Sequence, residues 1–214
     1  MKKALELKRK YLSERDKLFQ TLISTNDGVH FNKNHTNLVD NIVKELVEEI
    51  LEIHPVSDFT LIAVGGYGRR DLSPKSDVDL LFIYKKTNKN IRDFITTLNN
   101  SLWDIGLEVG ISFLTIKQAT IDSKKDIKTV TKFVETRYLI GDEDYYGEFV
   151  RSIKILVGKI NPLKICEQKL LELVDRHDFY LGIKSNLEPQ IKEGIGGLRD
   201  IHTIIWISIF IFNV

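Results

Sequence analysis

The apolar positions of this chain change period several times, and each change marks an element. Over residues 4–23, Leu5, Tyr11, Leu12, Leu18, Phe19, Leu22 and Ile23 recur at helical intervals with Lys8 and Arg15 at the margin of the stripe. Residues 25–37 (TNDGVHFNKNHTN) are polar and turn-rich and read as a loop. Leu38, Ile42, Leu46, Val47, Ile50 and Ile53 then restore helical spacing until Pro55, which cannot continue a helix. FTLIAV at 59–64 is an apolar run of strand length, stopped by Gly65 and Gly66. A second strand is expected over 77–84, and a helix over 91–103 through Ile91, Phe94, Ile95, Leu98 and Leu102. The third strand, 107–114, alternates cleanly, with Leu107, Val109, Ile111 and Phe113 on one face and Glu108, Gly110 and Ser112 on the other. From Ile127 onward the chain reads as helices broken at Gly141 and at Asn161 and Pro162. The expected class is α+β, organised as N-terminal helices (1–55), a sheet-containing core (56–142) and a helical region (143–214).

The candidate chemistry lies in GGYGRRDLSPKSDVDLLFIY, residues 65–84. Alternation along a strand puts Asp77 and Asp79 on one face and Val78, Leu80, Phe82 and Tyr84 on the other. Two carboxylates about 6 to 7 Å apart at Cα, by strand rise, can share divalent ions. Mg²⁺ suits them as a hard ion taking oxygen ligands, often with substrate phosphates. A pair of such ions about 3.5 to 4 Å apart stabilises the attacking and leaving oxygens of an in-line displacement at phosphorus. Like charges buried beside Leu80 and Leu81 would be costly without a cation. Gly65 and Gly66 permit backbone N–H groups to approach a triphosphate. The segment is not a Walker loop, and its G-x-G lacks the third glycine of a dinucleotide fingerprint. The competing reading is a hairpin turn with both aspartates solvated. Glu108 is the candidate third carboxylate, against a plain edge-strand glutamate, with Asp104 as a rival near a helix end.

These residues resemble the nucleotidyltransferase superfamily, whose pattern is Gly-Gly or Gly-Ser, a spacer and Asp-x-Asp or Asp-x-Glu. Within it the chain is similar to the PII uridylyltransferases of bacterial nitrogen signalling, through Tyr67, Gly68, Arg69, Leu72, Pro74 and Ser76. That family's pattern has Gly-Glu where this chain has Arg70 and Asp71. A second block, LEPQIKEGIGGLRDIHTIIWI at 187–207, resembles the family's LEP-x-x-KEGPGGLRDI, and residues 102–115 and 135–142 resemble two further segments. Ile111 and Leu114 depart from the family, which usually has His and Arg there.

The resemblance implies a polymerase-beta-like fold, a small mixed sheet covered by helices. It implies transfer of UMP from UTP to a tyrosine of the PII protein with Mg²⁺ or Mn²⁺. Asp77 and Asp79 would hold the metal, and Glu108 would help deprotonate the tyrosine. Gly65, Gly66, Arg69 and Ser76 would contact nucleotide. Lys192 and Arg199 flank Gly194, Gly196 and Gly197 and are either nucleotide contacts or part of a helix-connecting turn in which Asp200 meets a helix N-terminus. Arg176 and His177 also resemble the family. Full-length relatives add a hydrolase domain and glutamine-sensing ACT domains, so uridylyl removal and glutamine sensing are not expected of this chain. The alternatives are a protein adenylyltransferase and a truncated module that binds nucleotide without turnover.

Composition narrows the partners. The 214 residues carry a net charge of +1, which gives no broad electrostatic footprint for nucleic acid. Hydrophobic residues at 43% and charged residues at 29% are ordinary globular values and do not indicate disorder. The single Cys166 cannot form an intramolecular disulfide. Residues 1–10 are lysine-rich with no apolar run behind them, so the expected location is the cytoplasm. Residues 201–214 are nearly all apolar but short of the roughly 20 a membrane span needs. They read as a helix that packs on sequence beyond a truncated end.

Overall fold

A computed structural model describes residues 2–182 and 190–212. The element order is α1 (Lys2–Thr25), α2 (Gly28–Ile53), β1 (Phe59–Val64), α3 (Gly65–Gly68), β2 (Val78–Tyr84) and α4 (Lys89–Ile105). It continues with β3 (Val109–Leu114), α5 (Ile116–Lys125), α6 (Ile127–Val134), β4 (Thr136–Gly141), α7 (Glu143–Val157), α8 (Pro162–Gly182) and α9 (Leu198–Phe212). The four strands form one mixed sheet in the order β3-β2-β1-β4. β1 runs antiparallel to β2 and β4, while β2 and β3 are parallel, with α4 as their crossover.

Strand alternation divides the apolar side chains between two cores. Phe59, Leu61, Ala63, Val78, Leu80 and Phe82 face α1, α2 and α4, where Leu7, Val39, Ile42, Val43, Phe94 and Leu98 complete one cluster. Ile62, Val64, Leu81 and Ile83 face the other way and pack with Val130, Phe133, Phe149, Ile153 and Phe210. The N-terminal helices thus share a core with the sheet. β1, buried at all six positions, reads as a continuous apolar run because both of its faces are covered.

Two expectations change. Residues 25–37 are not a loop, since α2 begins at Gly28 and only Asn26 and Asp27 separate it from α1. Asp27 accepts the His30 N–H at 2.9 Å as an N-cap, and Phe31 and His35 are buried inside the polar stretch, with Phe31 packed 5.2 Å from Phe19. The segment after Ile127 is not wholly helical, because Thr136–Gly141 forms the edge strand β4. Ahead of it, α5 (Ile116–Lys125) opens behind a capping box in which Thr115 and Gln118 satisfy each other's backbone N–H groups. At the other end, α9 leaves Ile204 66% and Phe212 69% exposed. Among the described residues no helix is long and apolar enough to cross a membrane.

Candidate active site

β1 ends at a left-handed turn. Gly65 takes φ +59°, and its N–H is donated to the Glu135 carbonyl at 3.0 Å, so that group serves the scaffold and not a phosphate. Gly68 has no freedom to be anything else, since a Cβ there would stand 2.3 Å from the Glu135 carbonyl oxygen and 3.0 Å from that of Ala63. The turn is pinned from beneath. Arg137 donates to Asp40 at 2.7 and 3.0 Å and to the Tyr67 carbonyl at 3.2 Å. Burial, and then the nearby Asp40 carboxylate, push the Tyr67 phenol well above its usual pKa. From above, Asn32 on α2 donates to Asp71 at 2.7 Å.

The next residue but one explains a departure from the family pattern. Arg70 sits at φ +65°, in the left-handed region, where the family's glycine carries no steric cost. Arg70 holds the conformation with a hydrogen bond to the Asn37 side chain at 3.0 Å.

Asp79 is the centre of the site. Its carboxylate lies between two positions without side chains: a Cβ at Gly65 would be 3.8 Å from Oδ2, and one at Gly110 would be 3.0 Å from Oδ1. Gly110 is its register partner across the parallel β2–β3 pair. Lys132 on α6, which no sequence argument singled out, donates to Asp79 Oδ1 at 2.8 Å. Asp77 precedes the strand and is exposed, and Asp79 is half-buried, so the desolvation argument for a cation has little force at Asp77. What supports a divalent ion is the donor chemistry: two carboxylates, one of them flanked by two glycines that leave room beside its oxygens. These residues fit a hard ion whose other ligands are water and phosphate oxygens.

Glu108 is exposed, and its carbonyl accepts the Val78 N–H at 2.7 Å. The Val78–Val109 pairing, extended one residue back, puts Glu108 beside Asp77. Among the described residues no three His, Cys, Asp or Glu side chains gather as a group that could hold a metal ion. Ile111 packs on the α1–α2–α4 side of the sheet and Leu114 on the other.

The cations distribute less simply than expected. Arg69 forms an ion pair with the buried Glu135, and its second nitrogen lies 3.3 Å from His202 Nε2 on α9. Burial and then the charges of Arg69 and Arg199 hold the His202 pKa below its ordinary value, with Lys192 adding in the same sense and Asp71 opposing. Arg69 is thereby joined to α9, and the Lys192 carbonyl accepts the Arg199 N–H at 2.9 Å. Arg199 also pairs with Glu193 at 3.1 Å and stacks over Trp206 at 5.6 Å.

The glycine-rich 194–197 segment has the contacts of a helix-connecting turn. Asp200 accepts the Gly196 N–H at 2.8 Å, His177 at 2.9 Å and Arg176, joining α8 to α9. Burial alone would raise the Asp200 carboxyl, but these hydrogen bonds outweigh it and hold it below the usual range. His177, followed in sequence by Asp178, is thereby engaged by Asp200. Residues 187–189 of the second motif lie outside the described residues.

A strand, a glycine turn, and an aspartate pair opening the next strand define a class. The family model described as a nucleotidyltransferase domain matches residues 43–166, more than half of the chain, and the chain belongs to that family. The model described as GlnD PII-uridylyltransferase matches residues 164–214. The chain is 33% identical over 94% of its length to the bifunctional uridylyltransferase/uridylyl-removing enzyme of Nitrosospira multiformis, of which it covers 23%. It is 34% identical over 98% of its length to the enzyme of that name from Rhodospirillum rubrum, covering 22% of it. For the Chromobacterium violaceum relative the values are 41% identity over 69% of this chain and 17% of the relative. The chain thus spans less than a quarter of the length of these relatives.

Proposed function

We propose that this chain is the nucleotidyl-transferring part of a PII uridylyltransferase. The tyrosine oxygen of PII forms a bond to the α-phosphorus of UTP, the bond to the bridging oxygen breaks, and pyrophosphate leaves. The observation that carries the reading is the setting of Asp79, bracketed by Gly65 and Gly110 and paired with Lys132 beside the glycine turn.

Asp77 and Asp79 would hold Mg²⁺ or Mn²⁺, which when bound supplies charge neutralisation at the phosphates and a lowered pKa for an attacking oxygen. Gly66, Ser76, Arg69, Lys192 and Arg199 orient the triphosphate, while Gly65 contributes room and not its N–H. Glu108 enters as the base for the tyrosine proton. The choice of uridine rests on similarity to the family alone, and the proposed compartment is the cytoplasm, where UTP is available.

Transfer of α-labelled UTP and, in parallel, ATP to purified PII with Mg²⁺ or Mn²⁺ tests the reading. Labelling by UTP, reduced at least about a hundredfold by Asp79→Asn, is expected, since even outer-shell partners of a metal contribute tenfold or more. Labelling by ATP alone would point to an adenylyltransferase. Absence of label despite metal-dependent UTP binding would leave a binding module.

A further inference from the structure

Lys132 belongs to none of the motifs quoted from the sequence, yet it makes the ion pair at the centre of the site. Its ammonium is 2.8 Å from Asp79 Oδ1, and the two side chains are 33% and 37% exposed, so solutes reach the pair. α6 delivers it there. Val130 and Phe133 anchor the helix in the core, and Glu135, just beyond its end, gives its carbonyl to the Gly65 N–H. The end of α6 is therefore tied to the same glycine turn that faces Asp79. Lys132 stays within a side chain's length of the site even when its ammonium leaves the carboxylate.

An ammonium and a divalent ion on the same carboxylate oxygen repel each other, so one displaces the other. The displaced group is a strongly hydrated point charge with three rotatable donors on a flexible stem, which suits it to phosphate oxygens. Those oxygens arrive with the ion, because Mg²⁺ commonly shares its coordination between carboxylates and substrate phosphates.

We propose that Lys132 is a positioning residue that exchanges partners: it holds the Asp79 carboxylate before the divalent ion binds and pairs with the nucleotide phosphates afterwards. No covalent bond changes in this exchange. The inference rests on the reading of Asp79 as a metal ligand. It implies opposite effects of one substitution on two affinities, which a lysine that merely supports the fold would not produce.

The test uses Mn²⁺ alone, followed by paramagnetic resonance, and then a non-hydrolysable UTP analogue at saturating Mn²⁺, followed by calorimetry. The proteins are the unsubstituted chain, two neutral variants, Lys132→Gln and Lys132→Met, the charge-retaining Lys132→Arg, and Asp79→Asn. The neutral variants are expected to bind Mn²⁺ about two- to fivefold tighter, the ordinary worth of a half-exposed ion pair. They should bind the analogue about fivefold or more weaker, for loss of a charge-assisted contact. Lys132→Arg should stay nearer the unsubstituted chain in both. Unchanged or weaker Mn²⁺ binding in both neutral variants overturns the exchange. Unchanged Mn²⁺ binding in Asp79→Asn overturns the metal-ligand reading and the exchange with it, and that failure is recognised in the Asp79 variant alone.

Discussion

The ion pair beneath the glycine turn offers the sharpest stability test. Asp40 and Arg137 are 9% and 16% exposed at their side chains and are joined by two hydrogen bonds of 2.7 and 3.0 Å. Arg137→Met leaves the Asp40 carboxylate buried without a partner, which costs about 3 to 5 kcal/mol. In a domain of this size each kcal/mol lowers the melting temperature by roughly 2 to 4 °C, so a fall of about 6 to 20 °C is expected. Replacing both partners, Asp40→Leu with Arg137→Met, removes the orphaned charge. What remains is the Tyr67 carbonyl, which loses its 3.2 Å donor at a cost of about 1 to 3 kcal/mol. The double variant should therefore be more stable than the sum of the single variants allows, by about 2 kcal/mol or more. Urea unfolding followed by circular dichroism reads the midpoints, with unchanged slopes as the check that only stability moved. A loss under about 1 kcal/mol in Arg137→Met, or strict additivity in the double variant, would refute the argument that a buried charge pair holds the turn.

Further outcomes follow from single contacts. Gly68→Ala forces a Cβ to within 2.3 Å of a backbone oxygen and should lower the urea midpoint and weaken UTP binding together; an unchanged midpoint would refute the packing argument. Arg70→Gly should raise stability by about 0.5 to 1 kcal/mol, because the left-handed penalty of about 1 to 2 kcal/mol exceeds the extra chain entropy of glycine, and a destabilised variant would show that the bond to Asn37 matters more. His35 donates from Nδ1 to the Leu72 carbonyl at 3.1 Å and is 3.2 Å from the Tyr11 hydroxyl, an arrangement that suits the neutral ring. Burial holds its pKa below the ordinary value, with the Leu72 bond opposing. The unfolded chain therefore takes up a proton near pH 6.5 that the folded chain refuses. Stability should fall from pH 7.5 to 5.5, and by less in His35→Gln; parallel pH profiles for the two proteins would refute this.

The parts of the site legible in the sequence are those written in neighbouring residues. β1 announced itself as an apolar run closed by glycines, and the aspartates by period-two alternation a few residues later. β4 gave no such signal, because Thr136, Arg137 and Tyr138 begin an edge strand whose charged member finds its partner 97 residues away. The early start of α2 was hidden by an exposed polar face around only a few buried residues, Phe31 and His35 among them.

Local pattern thus determined the class of the fold, the glycine turn and the candidate carboxylates, since turn chemistry and strand alternation act over a handful of residues. Tertiary structure decided which charges meet. Lys132 reaches Asp79 across 53 residues and Arg69 reaches His202 across 133. Ion pairs carry no periodicity along a chain; they exist only where packing brings two elements together and lowers the competition from water.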